Sequence, residues 1–334
     1  MNKEYVLEIE DLTVEYVVEG EVTQAVTDLN LKVEAGTTVG LVGETGAGKT
    51  TTALAALRLV PDPPGTIRSG RILVCGQDIM KLSQKQLYNV RGQDISMIFQ
   101  DPMTSLNPVE TVGDQITESI MLHEKLKRPQ AWEKALEMLE LVGIPRTRAM
   151  EYPHQFSGGM RQRVVIAIAL ACNPKMLIAD EPTTALDVTI QAQVLDMMKK
   201  LRDQFNMGMI LITHDLGIVA EICDEVAVMY AGRIVEMGTL DEVFNHTRHP
   251  YTEGLFNSLP NIKNREAKLQ PIPGLMPDPT DLPVGCAFAP RCRYATEACK
   301  AAQPAAHHFS DTHFAACTAY EDPSFRIERS KDRE

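Results

Sequence analysis

No stretch of the sequence approaches the roughly 18 consecutive apolar residues that a membrane-crossing helix requires, so any membrane role must come through a partner. The opening residues, Met1-Asn2-Lys3-Glu4, lack the apolar core of a secretory leader, and the chain is expected to be soluble and cytosolic. Basic residues are in deficit: 33 Lys and Arg stand against 45 Asp and Glu, a formal charge of -12. That balance argues against a chain-wide nucleic-acid surface, although it is compatible with a local basic patch. Cysteine is sparse, seven in 334 residues, and the short Cys-x2–4-Cys pairs favoured by zinc sites are missing. Cys75, Cys172 and Cys223 lie singly among apolar neighbours and read as core filler, while the other four gather near the C-terminus. What is present in ordinary measure is apolar content, 44%, enough for one large domain with an extension or for two domains.

Against that background one stretch stands out: Gly43-Glu44-Thr45-Gly46-Ala47-Gly48-Lys49-Thr50-Thr51. It follows the short apolar run Val39-Gly40-Leu41-Val42, which reads as a buried strand, and precedes Thr52-Ala53-Leu54-Ala55-Ala56-Leu57, rich in helix formers. Strand, glycine loop, Lys-Thr and helix in that order make a Walker A phosphate loop. Its glycines let successive backbone N–H groups turn inward, and the helix N-terminus adds positive dipole where an anion sits. Lys49 would reach the β- and γ-phosphates, and the Thr50 hydroxyl would ligate Mg²⁺. The bland alternative, a glycine-rich turn, does not require this full spacing, so the chain is expected to bind a nucleoside triphosphate.

The rest of the chain supplies weaker signals that gain weight together. Residues 5–33 predict short antiparallel strands with a turn at Glu19-Gly20, and Tyr16 could stack on a purine there, although a strand Tyr alone is more often packing. Ile95-Ser96-Met97-Ile98-Phe99 predicts a strand ending on Gln100, at the carboxyl end where open α/β sheets bind ligands. Its amide could reach Mg²⁺ or an attacking water. Residues 111–150 carry Leu136, Met138, Leu139 and Val142 at helical spacing and predict a mostly helical insertion. Ser157-Gly158-Gly159 opens a further helix, with Ser157 placed as N-cap and two glycines exposing the first amides: a second anion-ready terminus. Met176-Leu177-Ile178-Ala179 predicts a buried strand that delivers Asp180, suited to Mg²⁺, and Glu181, suited to polarising a water. Thr183-Thr184-Ala185-Leu186-Asp187 leads into a helix. Met209 to Thr213 forms another strand, ending on His214, and Val226–Tyr230 with Arg233–Met237 predicts a closing hairpin.

These pieces together resemble the ATP-binding-cassette (ABC) ATPases, over residues 5 to about 245. The resemblance implies an α/β P-loop fold: a RecA-like core with an antiparallel β subdomain and a helical subdomain at about 101–165, within a nucleotide-binding domain spanning 1–245. It implies that Tyr16, residues 43–51 and Gln100 bind ATP, with Ser157, Gly158, Gly159 and Asp187 acting in trans from a second ATPase subunit in a head-to-tail dimer. Thr50, Gln100 and Asp180 would hold Mg²⁺, Glu181 would be the general base, and His214 the γ-phosphate switch. Phe156 and Met160 depart from the Leu-Ser-Gly-Gly-Gln signature, but Ser157 and both glycines are intact.

The tail, residues 246–334, is Pro-rich and predicts loops and short helices around Cys286, Cys292, Cys299 and Cys317, with Ser258-Leu259-Pro260 among its breaks. It resembles the C-terminal extension of ATPase subunits from dipeptide, oligopeptide and nickel importers, in which four cysteines hold a [4Fe–4S] cluster. Four thiolates suit such a cluster; Zn²⁺ is the alternative, although spacings of five, six and seventeen residues disfavour it. The resemblance implies an ATPase of the translocase class at the cytoplasmic face of the membrane. It would energise peptide import with two transmembrane permease subunits, an extracytoplasmic binding protein and a paralogous or identical second ATPase. The competing readings are import of nickel or another small solute, a soluble ABC ATPase acting on nucleic acid, and a redox-responsive regulator using the cysteines.

Overall fold

The structure is a computed structural model that describes residues 4–184, 186–259 and 270–327. Met1, Asn2 and Lys3 of the leader reading, Ala185 of the loop before Asp187, and Pro260 of the tail lie outside them. The chain opens with β1 (Tyr5–Val18) and β2 (Glu21–Glu34), joined by Glu19 and Gly20 at φ 53° and 90°. Two positive φ values in a two-residue loop are what the right-handed twist of a hairpin demands. Each strand runs 14 residues, longer than the expected short strands, because irregularities absorb the breaks in alternation. Asp11 and Asp28, both at φ 47°, sit at those irregularities, and Asn30 ties them together through the Asp11 carboxylate and the Asp28 carbonyl.

Next come β3 (Thr38–Val42), α1 (Lys49–Ala56), β4 (Gly65–Val74), β5 (Gln77–Asp78) and α2 (Gln84–Val90). Strands β2-β1-β4-β5 form one antiparallel sheet. The chain continues with β6 (Ile95–Ile98), the short α3 (Pro102–Ser105), α4 (Val112–His123), α5 (Arg128–Leu141), α6 (Gly158–Leu170), β7 (Met176–Asp180) and α7 (Val188–Phe205). Then follow β8 (Gly208–Ile212), α8 (Leu216–Ile222), β9 (Glu225–Tyr230), β10 (Arg233–Thr239), α9 (Leu240–Asn245) and α10 (Pro250–Asn257). The last elements are α11 (Glu297–Ala301), β11 (Ala306–His308) and β12 (Phe314–Ala316).

The second sheet has the order β11-β12-β10-β9-β3-β8-β7-β6, with β9, β3, β8, β7 and β6 mutually parallel. Its central strands read as unbroken apolar runs because both faces are covered. On β7, Met176 and Ile178 pack towards the β1–β2–β4 sheet and α1, whereas Leu177 and Ala179 pack towards α4, α5, α6 and α7. The same alternation recurs on β8, with Ile210 and Ile212 on the first side and Met209 and Leu211 on the second. Two cores therefore share one sheet. Between β6 and β7 the chain makes the expected helical excursion: Thr111 caps α4 through Asp114 N–H, and α4 pairs with α5. The tail holds strands as well as the expected loops and helices. Phe314 and Ala315 of β12 pair with Met237 and Glu236 of β10, so the end of the chain extends the main sheet.

Candidate active site

The parallel strands end together, and each carboxyl end delivers a polar group. After β3 comes the phosphate loop. A Cβ on Gly43 would stand 2.2 Å from the Met229 carbonyl oxygen, and one on Gly48, at φ 102°, would stand 2.3 Å from that of Ala25. Neither position admits another residue without moving backbone. Gly48 is the N-cap of α1, and Lys49, only 9% exposed, folds back over the loop. Its Nζ donates to the carbonyls of Gly43 at 2.8 Å and Glu44 at 3.0 Å. Burial pulls its pKa down, opposed by the charges of Glu181, Asp180 and Glu44. Thr45 and Gly46 are exposed at the tip of the loop, Ala47 is buried beneath it, and Thr51 lies half-buried on α1.

Thr50 Oγ1 donates to Asp180 Oδ2 at 2.8 Å, across the ends of β3 and β7. Burial pushes the Asp180 carboxyl up, only partly offset by that bond. A hydroxyl and a buried carboxylate converging in this way are hard oxygen donors, and the pair fits Mg²⁺. Gln100, also assigned to Mg²⁺ from the sequence, turns elsewhere: its Nε2 donates to Glu181 Oε2 at 3.1 Å. Glu181 is the hub of this end of the sheet. Thr184 Oγ1 donates to its Oε2 at 2.9 Å, and His214 Nδ1 lies 3.0 Å from its Oε1. Burial would raise the Glu181 pKa, but the bonds from His214, Thr184 and Gln100 outweigh it and hold the carboxyl below its ordinary value. The group is ionised at neutral pH and aimed by three donors from three segments. Thr184 carries no motif of its own; only the fold shows that it shares this carboxylate.

Ser157, Gly158, Gly159 and Asp187 form a second group. Ser157 occupies the N-cap position of α6 in extended backbone, yet its hydroxyl makes no capping bond, so the expected N-cap role holds by position only. Ser157 and Gly158 are exposed. Asp187 caps α7 by accepting from Ile190 N–H at 3.0 Å, and Ile190 packs against Gly159. The departures from the usual signature are accommodated from below: Phe156 is buried under the Arg148 guanidinium, 4.4 Å from its ring centroid, and Arg148 Nη1 lies 3.1 Å from Met160 Sδ. Among the described residues none of Ser157, Gly158, Gly159 and Asp187 hydrogen-bonds to residues 43–51. Tyr16 is half-buried on β1, its ring against Gly65 of β4.

One element reaches the phosphate loop that the sequence did not announce. Arg291, from the tail, forks onto the Glu44 carboxylate, with Nη1 to Oε2 at 2.9 Å and Nη2 to Oε1 at 3.1 Å. The Tyr251 hydroxyl accepts from Glu44 N–H at 2.9 Å. Glu44, one of the 43–51 loop residues read as binding ATP, sends its carboxylate into the tail.

The comparisons agree with this geometry. Residues 26–184 match the ABC transporter family, and residues 235–299 match the oligopeptide/dipeptide transporter C-terminal region. The chain is similar to the oligopeptide transport ATP-binding protein OppD of Bacillus subtilis, 53% identical over 92% of this chain and 87% of that protein. It is also similar to the dipeptide transport ATP-binding protein DppD of the same organism, 48% identical over 94% of each. Among solved structures, the dimeric ATP-binding cassette MJ0796 bound to ADP and Pi superposes with a TM-score of 0.62, at 25% identity, over 70% of this chain and 98% of that one. CbiO1 of Clostridium perfringens, part of the ABC transporter complex cbiONQ, superposes with a TM-score of 0.63 at 28% identity, over 73% and 92%. The chain belongs to the ATP-binding subunits of the ABC transporter family, in the branch that carries the oligopeptide/dipeptide transporter C-terminal region. As a member of that family it is an ATPase, and no helix among the described residues is long and apolar enough to cross a membrane.

The metal assignment in the tail is corrected. Cys286, Cys292, Cys299 and Cys317 border one small cavity with His249, but among the described residues no group of three or more His, Cys, Asp or Glu is disposed to hold a metal ion. Neither the [4Fe–4S] cluster nor Zn²⁺ is supported. All four cysteines are free thiols, and burial pushes Cys286 up, Cys292 to about 11 and Cys317 to about 12. Buried thiols of this kind pack as small hydrophobic side chains.

Proposed function

We propose that this chain is the ATP-hydrolysing subunit that energises import of di- or oligopeptides through a membrane permease. The observation that carries the catalytic part is Glu181: an ionised carboxylate at the end of β7, held by Gln100, Thr184 and His214. Beside it, Thr50 and Asp180 would hold Mg²⁺, which neutralises phosphate charge when bound; Gln100 would join them only by leaving Glu181. Glu181 takes a proton from the water that attacks the γ-phosphorus as its bond to the β-phosphate oxygen breaks and ADP leaves, and His214 orients that carboxylate and senses the phosphate. Lys49 releases the Gly43 and Glu44 carbonyls to meet the β- and γ-phosphates, and the loop amides of residues 45–51 cradle them. Tyr16 supplies the face on which adenine stacks.

The exposed, uncapped terminus at Ser157-Gly158-Gly159, with Asp187 behind it, is read as the half-site offered in trans to a second ATPase subunit. ATP between the two halves favours the closed dimer as far as nucleotide binds that form better. Relatives named for oligopeptide and dipeptide transport support peptide over nickel or another small solute as cargo. We assign residues 1–245 to the nucleotide-binding unit, with its helical part at about 101–165, and 246–334 to an appended C-terminal unit. The second ATPase subunit is proposed to be a paralogue rather than a copy. The assembly would sit at the cytoplasmic face of the membrane with two permease subunits, fed by an extracytoplasmic binding protein and not acting on nucleic acid. Exposed Phe99, Val109, Leu122 and Met150 are apolar side chains suited to contact with the permease.

The test is Glu181→Gln. ATP hydrolysis should fall at least ~100-fold while ATP binding is retained, in keeping with loss of a general base. Turnover at the parent rate would remove Glu181 from this role. Peptide uptake by vesicles holding the permease should stop with the same variant.

A further inference from the structure

The C-terminal unit reaches the phosphate loop itself. Glu44 is the first residue after Gly43, and all three of its polar groups are engaged. Its carbonyl accepts from Lys49, its N–H is taken by the Tyr251 hydroxyl, and its carboxylate is gripped by both outer nitrogens of Arg291. Arg291 is itself immobilised. Its side chain is 6% exposed, Nε donates to the Pro273 carbonyl at 2.9 Å, and Nη1 also lies 3.3 Å from the Tyr230 hydroxyl. Beneath it, Tyr230, Tyr251 and Phe288 pack as three rings with centroids 4.6 to 5.4 Å apart. Tyr230 ends β9 of the ATPase sheet, whereas Tyr251 and Phe288 belong to the tail.

Two consequences follow from charge and geometry. An unpaired Glu44 carboxylate would sit within the loop that must accept a polyanion, and would repel it; the fork neutralises it and turns it away. The fork and the tyrosine hydroxyl also fix the peptide plane on which Lys49 leans. We propose that Arg291 and Tyr251 are positioning residues for the phosphate loop, so that ATP affinity depends on how the C-terminal unit is seated. This rests on reading residues 43–51 as the ATP site.

The experiment is titration of the full chain with MgATP, together with steady-state KM and kcat. Arg291→Ala should raise the ATP Kd at least about tenfold, the scale of a lost charge-assisted fork, with KM rising more than kcat falls. Removing the stranded charge in Arg291→Ala/Glu44→Gln should recover most of that loss, which a merely structural role would not allow. Tyr251→Phe, which keeps the ring packing, should raise Kd about threefold through the one hydroxyl. Arg293→Ala removes a charge pair internal to the C-terminal unit, with Glu253, and leaves the Glu44 fork intact, so Kd should stay within twofold. A folded Arg291→Ala with Kd within twofold of the parent overturns the proposal, as does an equal loss whether or not Glu44 is charged. Should Arg291→Ala fail to fold, Tyr251→Phe decides, and an unchanged Kd there counts against it. A parent chain that binds no ATP would defeat the phosphate-loop reading instead.

Discussion

Glu181 adopts φ 46°, a left-handed conformation that costs a non-glycine residue about 1–3 kcal/mol. The strand end turns sharply there, and the three side-chain donors on its carboxylate help hold the turn. Gly48 poses the opposite problem, since its φ of 102° and its approach to Ala25 leave no room for a Cβ. Gly48→Ala should therefore weaken ATP binding more than tenfold and lower the melting temperature by several degrees, read by nucleotide titration and a thermal scan. At this scale the sequence was legible wherever the chemistry is local. Lys49, Thr50, Asp180, Glu181 and His214 could be singled out because loop, strand end and helix start follow one another along the chain. Arg291 could not, because its partner lies 247 residues away and an Arg before a Cys carries no signal. The four cysteines were misread for a related reason: four thiols in a Pro-rich tail look alike in sequence whether they bind metal or fill a core. What decides is whether the fold disposes three or more ligands around one point, and among the described residues it does not.

The elements were legible in type more than in extent. The parallel strands announced themselves as apolar runs buried on both faces. The first hairpin was read as shorter strands because Asp11 and Asp28 interrupt its alternation at irregularities that a pattern cannot distinguish from a turn. Strand β12 was missed because three residues hold no period, and it exists only by pairing with β10 and β11. A neighbouring anchor makes this junction measurable. Glu242 of α9 accepts from Ser310 and Thr312 of the tail and from Thr239. Burial would raise its pKa, but those bonds outweigh it and bring the carboxyl from 4.5 down to about 2. A carboxyl depressed by folding stabilises fully above its unfolded value, and that stability is lost as pH falls from about 4.5 towards 2. Urea midpoints from pH 5 to pH 3 should therefore fall less steeply in Glu242→Gln than in the parent. Equal slopes would show that the anchor contributes nothing.

For the whole molecule, the proposed function reads the two anion-ready helix termini on one chain as half-sites that a second ATPase chain completes. With hydrolysis blocked by Glu181→Gln, MgATP should drive association to twice the chain mass with the partner ATPase chain, seen by sedimentation. Adding Ser157→Glu should cancel that association, because a carboxylate at the N-terminus of α6 repels the phosphate it was meant to receive. Association that survives the added charge would place the dimer contact elsewhere. The tail bears on the shape of the molecule too. Phe314–Ala316 lies along the outer side of β10 at Glu236 and Met237, with β11 beyond it, so this stretch of β10 meets its own chain rather than solvent. A shortened protein ending near residue 245 would not be a smaller version of this one. It would expose a raw rim that any extended peptide, or another copy of itself, can zip onto, and the clumping of such a fragment would say nothing about its ATP chemistry.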